Sequence, residues 1–159
     1  MMSATERREK IDLIKKLPGE IEEAVKGLSD SQLDTPYRQG GWTVRQVVHH
    51  LADSHMNAFI RVKLILTEEK PTLKPYNQNE WAKLVDARSV SVASSLALLR
   101  GLHERWASLL ESLPEQAFGR TALHPERGEV TLESQLVTYA NHGVKHVGHI
   151  AALRAAKGW

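Results

Sequence analysis

Four long stretches of helical periodicity dominate this chain of 159 residues. They run from about Thr5 to Leu28, from Thr43 to about Glu69, from about Val90 to Leu113 and from about Thr131 to about Lys157. Pro18 weakens the first pattern, and a proline or a glycine follows each of the other three. No segment shows the strict apolar–polar alternation that is typical of a strand. The patterns therefore predict an all-α four-helix bundle.

The connections between these helices predict their directions. Antiparallel neighbours in a bundle need only short loops. The second and third helices are separated by about 20 residues, Lys70–Ser89, in which Asn79–Ala87 is predicted to form a short helix. This long crossover predicts that the second and third helices run parallel. The polar segment Phe118–Glu129 contains proline and glycine and is predicted to be a loop near one end of the bundle.

Helix N-termini are also readable from the sequence. Thr43 is a good N-cap for the second helix. Thr131 precedes the fourth helix but has Ser134, not an acid, three residues later, which predicts an incomplete capping box.

Composition excludes several classes of protein. The length fits one domain, 1–159, and the charges nearly balance, with 21 basic and 19 acidic side chains. No basic stripe interleaved with aromatics is present, so a nucleic-acid partner is not expected. The absence of cysteine excludes disulfides, a cysteine nucleophile and thiolate ligands. With neither a signal-like N-terminus nor an apolar stretch of membrane length, we expect a cytoplasmic protein without a membrane partner.

Two clusters hold most of the eight histidines. His142 and His146 lie one turn apart on the apolar face of the fourth helix, a spacing that lets two imidazoles reach one metal ion. Gly143 lies between them and leaves space for an ion or a neighbouring helix. His149 is predicted further round, toward the rim.

The second helix supplies the third predicted ligand. His50 borders the apolar face, whereas His49 is predicted to point toward solvent and His55 to border the opposite edge. A single inward histidine is more often a core residue hydrogen-bonded to its surroundings. Two inward clusters on different helices favour a metal site at His50, His142 and His146. Three neutral imidazoles without thiolate favour zinc, with nickel or another divalent metal as the alternative in vitro.

Four segments of the chain resemble the YfiT branch of the DinB-like superfamily. They are residues 40–57, 70–76, 124–126 and 139–150. The resemblance implies a four-helix bundle of up-down-down-up topology, a cytoplasmic homodimer and one zinc per subunit. It also implies the ligands His50, His142 and His146. His149 stands where many DinB-like members have glutamine; we expect it in the second shell or at the rim, although an exchange of roles with His142 stays open.

The resemblance implies two kinds of reaction. Members of this branch are described as metal-dependent hydrolases, and other DinB-like proteins are thiol S-transferases that use bacillithiol or mycothiol. Hydrolysis usually needs a carboxylate general base near the metal. Asp53 and Glu133 are poorly placed for this role on their helices, and Glu126 would have to reach the bundle mouth from its loop. No catalytic residue is therefore assigned.

Thiol transfer needs no such carboxylate, because a metal can hold a thiol as its thiolate. We therefore favour transfer of a low-molecular-weight thiol to a small-molecule electrophile. Asn57 and Tyr76 are candidate second-shell or substrate contacts, together with Arg61 and Lys74. Hydrolysis of a small ester or amide, and a metal-binding dimer without catalysis, are the alternatives.

Overall fold

Four long helices form the body of the protein in the computed structural model, which describes residues 2–159. They are α1 (Ala4–Val25), α3 (Val44–Thr67), α6 (Val92–Glu111) and α7 (Leu132–Lys157), and a short helix, α2 (Asp30–Leu33), lies between the first two. The predicted four-helix bundle is confirmed, with helix ends within a few residues of the expected positions. None of the helices between residues 2 and 159 is long and apolar enough to cross a membrane.

Helices α3 and α6 run parallel, as the long crossover predicts. His49 near the start of α3 contacts Ser95 near the start of α6, and His55, further along α3, contacts His103. Residue numbers therefore rise together along the two helices. Two short helices, α4 (Gln78–Trp81) and α5 (Val85–Ser89), lie in the crossover that returns the chain from the end of α3 to the start of α6. The single short helix predicted for Asn79–Ala87 is thus two separate pieces.

The outer helices complete the up-down-down-up order. Helix α7 runs parallel to α1, because Lys10 contacts Asn141 and the Ala24 carbonyl accepts from Arg154. Contacts between α1 and α6 run in opposite directions along the two helices: Lys15–Glu111 and Glu22–Arg100. Helix α1 is continuous through the buried Pro18.

A β-hairpin replaces the loop predicted for Phe118–Glu129, after a short 3₁₀ helix at Glu115–Gly119. Strand β1 (Thr121–His124) pairs antiparallel with β2 (Gly128–Thr131). Only two side chains of β1, Ala122 and His124, are buried, and a four-residue strand is too short for its alternation to stand out from the sequence.

The hairpin also holds the crossover segment in place. The backbone N–H of Leu73 donates to the Leu123 carbonyl at 2.8 Å, and the N–H of Leu123 donates to the Pro71 carbonyl at 2.9 Å. These two bonds fix the chain that leads to Tyr76 beside the open side of the bundle. The hairpin is therefore part of the framework of the site described below.

Capping boxes start both helices that carry the candidate ligands. The Thr43 hydroxyl accepts from the Gln46 N–H, and the Gln46 side chain accepts from the Thr43 N–H. The prediction of an incomplete box at Thr131 is wrong: its N–H donates to the Ser134 hydroxyl at 3.0 Å, and the reciprocal bond is also 3.0 Å. A serine hydroxyl therefore takes the place of the usual carboxylate.

A layer of histidines divides the hydrophobic core into two clusters. One cluster lies toward the hairpin end and includes Phe59, Trp106 and Leu136. The other lies toward the opposite end and includes Leu51 and Leu99. Between them, at the same level of the bundle, lie the side chains that we call the histidine layer: His50, His55, His103, His142 and His146. The polar groups of this layer are thus enclosed by apolar packing on both sides.

Candidate metal centre

Three histidines from two antiparallel helices converge on one point. His50 comes from α3, and His142 and His146 come from successive turns of α7. One ring nitrogen from each lies within 4.8 Å of the others. The Nε2 atom of His142 is 3.1 Å from the Nε2 atoms of both His50 and His146. The structure therefore brings together the three side chains that the sequence predicts as ligands.

Burial keeps these three imidazoles neutral. It is the main cause that lowers the pKa of His50, His142 and His146 to about 3 in each case. Repulsion adds to burial: His146 acts on His50, and Lys145 acts on His142 and His146. Neutral imidazole is the form that donates a lone pair to a metal ion.

The donor set fits a divalent cation. Three ring nitrogens face each other closely, although each neutral imidazole has only one proton to share. A cation at the point where the three Nε2 atoms converge would satisfy their lone pairs together. The group contains no carboxylate, so metals that bind nitrogen ligands well, such as zinc, suit it better than magnesium or calcium, which prefer oxygen ligands.

His149 lies at the rim of this group rather than within it. Its ring stacks on Tyr37, with the centroids 4.4 Å apart and the planes 4° from parallel. It meets the His146 ring edge-on at 5.4 Å. His149 is not among the residues whose nitrogens converge.

Gly143 makes room for a helix and not for an ion. A Cβ at this position would lie 2.7 Å from Leu17 Cδ2, so the absent side chain lets α7 approach α1. This close approach is one of the two uses that the sequence suggested for the glycine.

The prediction that His49 points toward solvent is wrong. The ring is buried, with Nδ1 at 2.8 Å from the Ser95 hydroxyl and Nε2 at 3.1 Å from the Val90 carbonyl. The parallel helix α6 and the chain before it cover this face of α3. A helical wheel of α3 alone contains no information about that neighbour.

Two further histidines, His55 and His103, lie directly behind the predicted trio. They are 0% and 1% exposed. The Nε2 atom of His55 is 3.2 Å from His142 Nδ1, and its Nδ1 is 3.1 Å from His103 Nε2. Burial lowers the pKa of His103 to about 4. The sequence placed His55 at an edge of α3 and missed His103, although its position four residues after Leu99 and three before Trp106 indicates the apolar face of α6.

A cavity of about 530 Å³ opens beside His142. The crossover segment contributes Tyr76 to its wall, the hairpin contributes His124 and Glu126, and α7 contributes Tyr139. Burial raises the pKa of Tyr76 to about 12, so its hydroxyl stays protonated and available as a donor. Tyr76 therefore lines the cavity, and its role as a substrate contact stays a prediction.

Asn57 does not line this cavity. Its side-chain amide donates to the Asp53 carbonyl at 2.8 Å, one turn back along α3. The structure thus gives Asn57 a local backbone partner and places it outside the cavity wall.

Arg61 is a buried cation in the cavity wall without an acidic partner. Its Nη1 donates to the Tyr139 hydroxyl at 3.0 Å and its Nη2 to the Lys74 carbonyl at 2.7 Å. Across residues 2–159 it forms no ion pair. Burying a charge is costly unless it is paired, so this guanidinium would bind an anion in the cavity favourably.

His124 adds a second donor to the same wall. The backbone N–H of Glu126 donates to His124 Nδ1 at 3.2 Å. In the neutral ring the proton must then be on Nε2, which is left as a donor. Burial is the first cause that lowers the pKa of His124, followed by the charges of Arg61 and Arg127, so the neutral form is favoured.

Carboxylates near the site are few. Glu126 is exposed and lines the cavity, as its loop position allowed. Asp53 is half-buried outside the cavity wall, and burial, followed by the charge of Asp86, raises its pKa to about 6. Neither carboxylate belongs to the group of converging nitrogens.

Known proteins with related sequences cover nearly the whole chain. YfiT of Bacillus subtilis is 50% identical over 150 residues, which span 94% of this chain and 84% of the relative. A relative in Geobacillus kaustophilus is 52% identical over 158 residues, which span 98% and 88%. Both have names that assign them provisionally to the metal-dependent hydrolases.

The solved structure of B. subtilis YfiT has the same fold. It superposes with a TM-score of 0.97 at 47% sequence identity and covers all of this chain and 91% of its own. That protein is described as a probable metal-dependent hydrolase with an unusual four-helix bundle topology. The family model of the DinB superfamily matches residues 13–150. On this match and on these relatives, the chain belongs to the DinB superfamily.

Proposed function

We propose that the chain is a zinc-dependent enzyme that transfers a low-molecular-weight, acid-bearing thiol to an electrophile. The observation that supports this best is the cluster of three neutral imidazoles beside a cavity whose wall contains the unpaired cation Arg61. Zinc bound there would supply a Lewis acid that lowers the pKa of a thiol toward neutrality. The nucleophile must come from outside, because the chain has no cysteine.

His50, His142 and His146 are the proposed ligands, and they would supply three of the four ligands that a zinc ion usually takes. The fourth position is then available to a small molecule in the cavity beside His142. This count is typical of catalytic rather than structural zinc sites. Nickel or another divalent metal is expected to replace zinc in vitro.

The cavity wall supplies the proposed binding groups for the thiol. Arg61 has no ion pair with a carboxylate among residues 2–159, and His124 offers its Nε2–H. Together they would hold a carboxylate of the thiol by charge-assisted hydrogen bonds. The protonated hydroxyl of Tyr76 lies in the same wall and orients the remainder of the molecule.

Consumption of thiols by the zinc-loaded protein tests this proposal. Bacillithiol, an acid-bearing thiol, is compared with 2-mercaptoethanol, a neutral one, using monobromobimane as the electrophile. The thiolate forms a carbon–sulfur bond and bromide leaves. We expect catalysed conjugation that is lost in His146→Ala. Conjugation at the uncatalysed rate with bound zinc would contradict the proposal.

Arg61→Met tests the binding of the acidic group. We expect KM for bacillithiol to rise about tenfold, the equivalent of about 1.4 kcal/mol for one charge-assisted contact, while KM for 2-mercaptoethanol changes little. Lys74→Met is the matched control, because Lys74 accepts the hydrogen bond from Arg61 with its backbone carbonyl and its side chain is exposed.

Hydrolysis of a small ester or amide is a second candidate, favoured by the position of Glu126 in the cavity wall. Glu126 would act as the general base on water. With p-nitrophenyl acetate as the probe, we expect Glu126→Gln to lower hydrolysis by about 100-fold if this candidate holds. Thiol conjugation, by contrast, needs no protein carboxylate and should not change.

The assembly and location that the family resemblance implies stay predictions. We propose a cytoplasmic homodimer. Light scattering coupled to gel filtration would give twice the monomer mass of 17.8 kDa for the dimer.

A further inference from the structure

A chain of hydrogen bonds connects the candidate metal centre to the backbone of α1. It runs from His142 to His55, from His55 to His103, and from His103 Nδ1 to the carbonyl of Ile14 at 2.5 Å. We call these three side chains, ending at the Ile14 carbonyl, the histidine chain. His55 and His103 each use one ring nitrogen for the bond to the preceding histidine and the other nitrogen for the bond to the next group in the chain.

Pro18 explains why a helical carbonyl is available at the end of this chain. In an α-helix the carbonyl of residue 14 accepts from the N–H of residue 18. Residue 18 is proline, which has no N–H and pushes away the carbonyl four residues before it. The Ile14 carbonyl would then be buried without a partner, and His103 donates the missing hydrogen bond from α6.

The carbonyl at the end fixes the direction of every bond in the chain. A carbonyl oxygen only accepts, so His103 must carry its proton on Nδ1. A neutral imidazole has one N–H, so His103 Nε2 accepts from His55 Nδ1, and His55 Nε2 accepts from His142 Nδ1. The neutral form is required because His55 and His103 are almost completely buried and neither forms an ion pair within residues 2–159.

The direction of these bonds determines the tautomer of His142, one of the proposed metal ligands. With its proton on Nδ1, His142 presents a lone pair on Nε2, the atom that lies 3.1 Å from both His50 and His146. The opposite tautomer would direct an N–H at the point where a cation must bind. Partners behind a ligating histidine commonly fix its tautomer, and their loss costs about 10–100-fold in metal affinity.

We propose that His55 and His103 are positioning residues that set the tautomer of His142, with the Ile14 carbonyl freed by Pro18 as the group that determines the direction. The proposal concerns metal binding by the trio and rests on the proposed metal site, but not on the reaction. His55 and His103 touch neither substrate nor metal in it.

Two variants of His103 separate positioning from packing. His103→Leu removes both hydrogen bonds, whereas His103→Gln keeps an N–H for the Ile14 carbonyl and an oxygen for His55. His49→Leu is the matched control, because His49 is also buried and bonded at both nitrogens but lies outside the histidine chain. Zinc dissociation constants are measured by competition with a chromogenic chelator.

We expect His103→Leu to weaken zinc binding by about 10–100-fold. His103→Gln should restore affinity to within a few-fold of the wild type, and His49→Leu should leave it unchanged. Equal zinc affinity in His103→Leu and the wild type would overturn the proposal. So would equal weakening in His49→Leu, since the effect would then come from general destabilisation.

Long-range ¹H–¹⁵N NMR of the metal-free protein tests the tautomer directly. We expect His142 to be protonated on Nδ1 in the wild type, and to become a mixture of tautomers in His103→Leu. Protonation on Nε2 in the wild type would overturn the proposal. Because this spectrum needs no metal and no substrate, failure of the proposed metal centre or of thiol transfer remains distinguishable from failure of the histidine chain.

Discussion

Two neighbouring residues of α3, His49 and His50, are both buried but lie in different regions of the bundle. On the α6 side, both nitrogens of His49 are bonded to oxygen atoms, of Ser95 and Val90. On the α7 side, His50 Nε2 faces another histidine nitrogen. A region that satisfies each polar atom with the protein's own partners is structural. A region in which three histidine nitrogens converge, with one ring proton per residue to share, leaves a place for a cation.

The largest expected effect in this comparison is the loss of stability that a lower pH causes through His50, His142 and His146. The folded-state pKa of His50, His142 and His146 is about 3, against 6.5 for the ordinary histidine. Between these values the unfolded chain binds more protons, so the free energy of unfolding falls as pH falls. Each histidine contributes up to about 1.4 kcal/mol per pH unit.

Urea unfolding of the metal-free protein at pH 7 and pH 5 measures this loss. We expect a much lower midpoint at pH 5, and a shallower pH dependence in His146→Gln because one titrating group is gone. Equal stability of the wild-type protein at the two pH values would contradict the assigned burial of the trio.

Removing one ligand should have the next largest effect. His146→Ala leaves two imidazoles, and we expect zinc affinity to fall by at least about 100-fold, since a ligand contributes more than the partners behind it. Isothermal titration calorimetry with a competing chelator measures this change. An affinity within threefold of the wild type would show that the ion binds elsewhere.

The variant His49→Leu tests the region on the α6 side, which we describe as structural. Two hydrogen-bond partners of His49 lose their bonds, and we expect the free energy of unfolding to fall by about 2 kcal/mol. Chemical unfolding of the metal-free protein measures it. A loss of zinc binding by the folded variant would mean that the two regions are coupled through α3.

His149→Ala should have the smallest effect. The variant loses the stacked contact with Tyr37, for which about 0.5–1 kcal/mol is expected. Because His149 is outside the converging group, zinc affinity should change by less than about threefold, the equivalent of about 0.7 kcal/mol. A loss comparable with that of His146→Ala would identify His149 as a ligand.

Much of the fold follows from local rules. Helical periodicity placed the long helices, and the length of the crossover predicted that α3 and α6 run parallel. The i, i+4 spacing placed His142 and His146 on one face. The hairpin was missed because its strands are four residues long and their stability depends on pairing and on the contact between Leu73 and Leu123.

Errors in the predicted site arise where a second helix decides the environment. The helical wheel of α3 predicted that His49 faces solvent and that His55 borders the apolar face. In the structure α6 covers His49 and encloses His55. Arg61 is comparable: the sequence shows a cation, but only the packed structure shows that no carboxylate in the described part of the chain forms an ion pair with it.

The sequence by itself determined the four long helices, the N-cap Thr43 and the faces on which the ligand candidates lie, because these depend on neighbours within about one or two turns. Only the tertiary structure decided that His103, 89 residues after Ile14, meets the carbonyl that Pro18 leaves free. Such a contact depends on the directions and separations of whole helices. Those are set by packing across the entire core, and no short segment of the sequence encodes them.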